Sequence, residues 1–128
     1  MGKRVLVIDP SRTIRTLLSI YLQQASHQVI VCPNVEEGLL TLHNLHDDVP
    51  DVVLLALHVP VKEEQHILQY MKTRPRYART ALIAMPIYED IARLQPLLKS
   101  ENIACISKPF RIQDMLQLVG AIYRAPTC

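Results

Sequence analysis

Five short, uniformly apolar runs alternate with five stretches of helical periodicity, and this alternation limits the chain to very few folds. The runs cover residues 5–8, 29–32, 52–57, 81–85 and 103–106. Runs of four to six apolar residues without polar alternation read as strands buried on both faces of a parallel sheet. Between them, Ser11 is positioned to cap a helix carrying Ile14, Leu17, Leu18 and Leu22. Asn34 with Glu37 three residues later has the pattern of a capping box, ahead of Leu39, Leu40 and Leu42 and a helix to about His46. A third helix is expected over 63–72 with Ile67, Leu68 and Met71 inward. A fourth is expected around Ile91, Leu94 and Leu98. The last presents Met115, Leu116, Val119, Ile122 and Tyr123.

Strand–helix alternation with right-handed crossovers gives a doubly wound α/β fold. Ligands in such folds sit beyond the carboxyl ends of the strands, where strand order reverses. The positions of interest are therefore Asp9-Pro10, Ala56 to His58, Pro86-Ile87 and Lys108-Pro109. At 128 residues, 49% hydrophobic and 20% charged, the chain reads as one globular domain and not a disordered one. Residues 1–124 form the expected domain, and 125–128 a tail or the start of a linker to a further domain. The longest apolar run falls far short of the ~20 residues of a membrane span. Three cysteines, Cys32, Cys105 and Cys128, lack metal-ligand spacing and suit a reducing cytoplasm. A net charge of +2 does not imply nucleic acid. Glycines at 2, 38 and 120 form no phosphate-cradling loop, so neither a nucleotide nor a flavin is expected.

Three segments in order resemble the receiver domain of bacterial two-component response regulators: residues 5–15 (VLVIDPSRTIR), 51–60 (DVVLLALHVP) and 107–110 (SKPF). The resemblance covers essentially the whole chain and implies a (βα)5 flavodoxin-like fold with strand order 2-1-3-4-5. It also implies how an active relative would work. An aspartate ending the third strand takes a phosphoryl group from a histidine kinase. An acidic pair after the first strand holds Mg²⁺, a lysine after the fifth meets the phosphate, and a hydroxyl after the fourth hydrogen-bonds it. Carboxylate attack on phosphorus requires such neutralisation of charge.

At those positions this chain keeps Asp9 and Lys108 but has Pro10 in place of the second acid, Ala56 as the acceptor and Pro86 as the hydroxyl. Cys105 stands where the resemblance places the aromatic that reorients on activation. Asp51 lies ~16 Å from Ala56 at the wrong end of the strand, and Glu63 and Glu64 have no matching metal pair. The expectation is thus a vestigial pocket of Asp9, Pro10, Ala56, His58, Pro86 and Lys108, with no catalytic residue, metal or cofactor. Asp9 and Lys108 are expected to form an ion pair closing the top of the sheet. Lys108 binding an anion or a partner's carboxylate is the alternative.

The function that follows is a phosphorylation-independent interaction module, non-enzymatic, with a protein partner or a second copy of itself, and with no role at nucleic acid or membrane. A small-anion sensor using Asp9, His58 and Lys108 is the runner-up. A divergent phosphotransfer substrate using Glu63 or His58 is weaker still. The expected interface is the face of the fourth helix, fifth strand and fifth helix, with Leu97 and Leu118 exposed beside Arg93, Cys105, Arg111 and Gln117. Pro96 should kink or shorten the fourth helix at ~3 kcal/mol, unless that helix starts late enough to put it in the first turn. His43 and His46, near Asp47 and Asp48, read as solvated and not as metal ligands. The basic run 72–79 reads as a solvated loop.

Overall fold

A computed structural model describes residues 2–46 and 48–122. Its strands are β1 (Arg4–Ile8), β2 (Gln28–Cys32), β3 (Val52–Ala56), β4 (Ala81–Met85) and β5 (Ala104–Cys105). Helices α1 (Arg12–Gln24), α2 (Val35–Leu45), α3 (Glu64–Lys72), α4 (Ile91–Ser100) and α5 (Ile112–Ala121) follow them in turn. All pairings are parallel, in the order β2-β1-β3-β4-β5. The doubly wound fold expected from the sequence is therefore the one formed.

Period-two alternation divides each strand between two cores. Leu6, Ile8, Val53, Leu55 and Ala84 face α2, α3 and α4 through Leu42, Ile67, Leu94 and Leu98. Val5, Val7, Val52, Leu54, Ile83 and Met85 face α1 and α5 through Leu18, Leu22, Met115 and Val119. Gly38 lets α2 approach the sheet: a Cβ there would sit 2.5 Å from Ile8 Cδ1. With few glycines, α1 and α4 are ended by Ser26 and Asn102 in the left-handed region, φ 72° and 53°. The following amides close the turns, His27 N–H on the Leu22 carbonyl and Ile103 N–H on that of Leu98.

Several expectations change. Double-sided burial holds for the central strands but not for β2, whose Ile30 and Val31 are exposed because an edge strand lies partly beyond its covering helices. Leu40 points to solvent, leaving Gly38 and Leu42 as the buried positions of α2. The fifth strand shrinks from four residues to two, its pairing resuming only as an isolated bridge between Ile87 and Lys108. Pro96 neither shortens α4 nor lies in its first turn; it is the sixth of ten helical residues. It sits on the exposed side, where water can reach the carbonyl that its missing N–H leaves free. Asp47, Tyr123 and the tail 125–128 lie outside the described residues.

Candidate functional site

The carboxyl ends of β1, β3, β4 and β5 surround one crevice, and its polar groups are already committed to one another. Asp9 is fully buried, at 0% exposure. Its Oδ2 receives Lys108 Nζ at 2.6 Å and its Oδ1 accepts the Ser11 N–H at 2.8 Å. Ser11 Oγ in turn accepts the Ile14 N–H, capping α1, and Arg15 Nη1 donates to the Asp9 carbonyl at 2.9 Å. A buried carboxylate is tolerable only when paired and hydrogen-bonded, and Asp9 is both. The ion pair expected to close the top of the sheet is present.

On the β3 and β4 side the crevice is apolar. Ala56 is 4% exposed and presents a methyl group. Pro86 is buried, and its carbonyl accepts the Lys108 N–H at 2.7 Å, which helps fix the loop that carries the lysine. The Mg²⁺ implied by the resemblance does not fit these residues. That ion takes several oxygen ligands in near-octahedral geometry, but Asp9 is spent on Lys108 and Ser11, and Pro10 and Ala56 offer no side-chain donor. Among the described residues no three His, Cys, Asp or Glu side chains converge on a possible metal position. His43 and His46, with ring centroids 6.4 Å apart on the surface, gather no further ligand among the described residues.

One carboxylate has a structural part that the sequence did not suggest. Glu64, at the first turn of α3, is buried; its Oε2 accepts the His58 N–H at 3.0 Å and its Oε1 the Lys62 N–H at 3.1 Å. The β3–α3 loop thus folds around this side chain. His58 itself is exposed, with Nδ1 3.4 Å from Glu64 Oε2. A cavity of about 400 Å³ opens above Ala56, lined by Ile8, Pro10, Ala56, His58 and the carboxylates Glu36, Glu63 and Glu64 among others. Asp9 and Lys108 are not in its wall. The three residues assigned to an anion pocket are therefore not brought together in this cavity.

The arrangement of β1, β3 and β5 around this crevice has a counterpart in known sequences. Residues 5–120 match the response regulator receiver domain family. The chain belongs to that family. Over 119 residues, 93% of the chain, this receiver is 27% identical to sporulation initiation phosphotransferase F of Bacillus subtilis, covering 92% of that protein. It is 23% identical to the transcriptional regulatory protein PhoP of Escherichia coli over 94% of its own length, but spans only about half of that relative, 52%. The solved chemotaxis response regulator CheY4 of Vibrio cholerae superposes with a TM-score of 0.81 at 20% identity, covering 96% of this receiver and all of that chain. Receivers of this kind serve two-component signalling and engage other proteins, such as output domains in response regulators.

On the α4–β5–α5 face of this receiver, the expected interface is only partly exposed. Arg93, Arg111 and Gln117 are at the surface, and Arg111 Nε pairs with Asp114 at 3.1 Å. Leu97 and Leu118 are not exposed contacts; each is half-buried against a core cluster, because helix phase turns them toward the sheet edge. Cys105 is half-buried too, and burial pushes its thiol upward in pKa. The apolar surface lies instead on Ile87 and Tyr88, the latter 71% exposed, just past Pro86. The signal for them was an apolar pair after the proline that ends β4, outside any core stripe. No described helix is long and apolar enough to cross a membrane.

Proposed function

We propose that this receiver works without aspartyl phosphorylation, as a non-enzymatic module held in one conformation that signals through protein contact in the cytoplasm. The observation behind this reading is the Ala56 methyl at the end of β3, facing a crevice whose only buried carboxylate, among the described residues, on the β1 side is neutralised by Lys108 at 2.6 Å. A phosphoryl group has no nucleophilic oxygen at β3 to join. The differential energy it would supply between two conformations is missing as well. Cys105 and Pro86 stand where a switch aromatic and a switch hydroxyl would be, which favours a single fixed conformation.

The contact surface we assign runs from Ile87 and Tyr88 along Arg93, Arg111 and Gln117. Exposed apolar side chains bordered by Arg93 and Gln117 suit a protein partner with an apolar centre and a polar rim, which includes an output domain or a second copy. A small-anion sensor is disfavoured, since the cavity beside His58 is walled by three glutamates and lacks Lys108.

Incubation with acetyl phosphate and Mg²⁺ followed by intact-mass measurement tests the reading. The expected spectrum contains the unmodified chain alone. A stoichiometric adduct of about one phosphoryl group, ~80 Da, would refute it.

A further inference from the structure

At the opposite end of the sheet, the basic run leading into β4 is solvent-exposed as expected, but it forms an ordered turn over a buried Tyr77. Pro75 opens a 3-10 turn, Pro75–Tyr77, whose single turn is continued by the Ala78 N–H on the Pro75 carbonyl. Tyr77 is buried and its hydroxyl donates to the Leu42 carbonyl at 3.4 Å, pinning the turn to the core. Thr80 Oγ1 donates to the Pro50 carbonyl at 2.7 Å, which ties the end of the turn to the approach to β3.

Three of the four cations in the run make a contact within the chain, Arg76 the loosest, its guanidinium carbon 5.4 Å from the Tyr77 ring centroid. Lys72 pairs with Glu101 at 3.2 Å, and Arg74 lies over the Tyr70 ring, 3.7 Å from its centroid, while donating to the Tyr70 carbonyl. Arg76 and Arg79 have no carboxylate partner among the described residues. Arg76 lies within the Pro75–Tyr77 turn and Arg79 just past it. Both line a cleft of about 300 Å³ with Val49, Pro50, Ala78 and Thr80. Among the described residues, none that lines it is acidic. The nearest carboxylates in sequence are engaged elsewhere, Asp48 with Arg4 Nη1 at 3.6 Å and Asp51 with the Arg4 N–H at 2.9 Å.

We propose that this cleft binds a small ligand carrying a diphosphate. Two forked, permanently charged donors on a fixed turn match a dianionic group with several acceptor oxygens. The apolar walls of Val49, Pro50 and Ala78 accept the carbon portion of an organic diphosphate, and the volume falls at the small end of ligand sites. Fixing the turn in advance lowers the ordering cost of binding. The site is remote from Asp9 and Ala56 and does not depend on whether this receiver is phosphorylated.

Titration calorimetry of the whole chain with sodium pyrophosphate and with ADP, in ~0.15 M salt to screen diffuse attraction, tests the proposal. Saturable one-to-one binding of pyrophosphate is expected, with amide shifts at Arg79 and Thr80. Tighter binding of ADP identifies an organic diphosphate; equal affinity identifies the inorganic ion, and either supports the site. R76Q/R79Q, exposed positions that leave the melting temperature unchanged, should weaken binding about tenfold or more, whereas R93Q and K99Q leave it as it was. No saturable heat with either probe would overturn the proposal. So would equal weakening by R93Q and K99Q, or binding only to a single-stranded oligonucleotide.

Discussion

The two sides of the crevice have diverged to different degrees. On the β1–β5 side Asp9, Ser11, Arg15 and Lys108 form a connected polar network. On the β3–β4 side Ala56 and Pro86 are apolar and buried. The difference shows that residues matching a reactive site can persist for structural reasons. Asp9 receives the Ser11 amide at the start of α1 and balances Lys108, so its loss costs stability whether or not chemistry occurs there. A carboxylate at position 56 would have no such second task. Matching two of the polar positions therefore says little about activity; the side lacking a structural duty is the informative one.

Lys108→Met breaks the comparison most severely. It strands Asp9 as an unpaired buried charge, and urea denaturation should show a loss of ~3 kcal/mol, at the low end for buried pairs because Lys108 keeps 19% of its side chain exposed. A cost near zero would mean that the network does not hold this end of the sheet. Asp9→Asn in the same chain should recover part of that loss, the sign of direct coupling.

Ala56→Asp sharpens the contrast from the other side. A carboxylate placed at a 4% exposed position beside Asp9 should cost ~2 kcal/mol. It should still give no acetyl-phosphate adduct by intact mass, since Pro10 supplies no metal ligand. Full phosphorylation of that single variant would show that the β1–β5 side remains competent.

Glu64→Ala should cost less, ~1–2 kcal/mol, by depriving the His58 and Lys62 amides of their acceptor. Hydrogen exchange should quicken at those two amides while β3 stays protected. Unchanged exchange would remove Glu64 from its structural part.

The smallest effect concerns pH and lies away from the crevice. Burial, and then the charge of Lys3, hold the His27 imidazole below its usual pKa of 6.5, with Nδ1 accepting the Lys3 N–H at 2.9 Å. A lowered folded-state value means the unfolded chain binds the proton more readily. Stability is then full above about pH 6.5 and declines as pH falls below it. His27→Gln should flatten that part of the stability–pH curve, and an unchanged slope would assign it to another group.

The strand–helix alternation and the Asp9–Lys108 pair were legible because each depends on periodicity or on the ends of strands, which the chain states locally; the strand order came from the resemblance to receivers. The remainder depends on lateral placement. Ile30 and Val31 read as core, yet their strand lies at the edge; Leu97 and Leu118 read as surface, yet their helices are rotated toward the sheet. The burial of Tyr77 and Glu64 is set by how two loops fold back on the domain, and no spacing rule encodes it. Pro96 shows the same limit, since its cost depends on which side of α4 meets water.

Backbone amide spectra of the isotope-labelled chain, recorded with Mg²⁺ before and after acetyl phosphate, test the absence of a phosphorylation switch most directly. The two spectra should coincide, including the amides of Ala56, Ile87, Tyr88 and Lys108. A second set of resonances at those four positions, growing with acetyl phosphate and fading as it is consumed, would contradict the account.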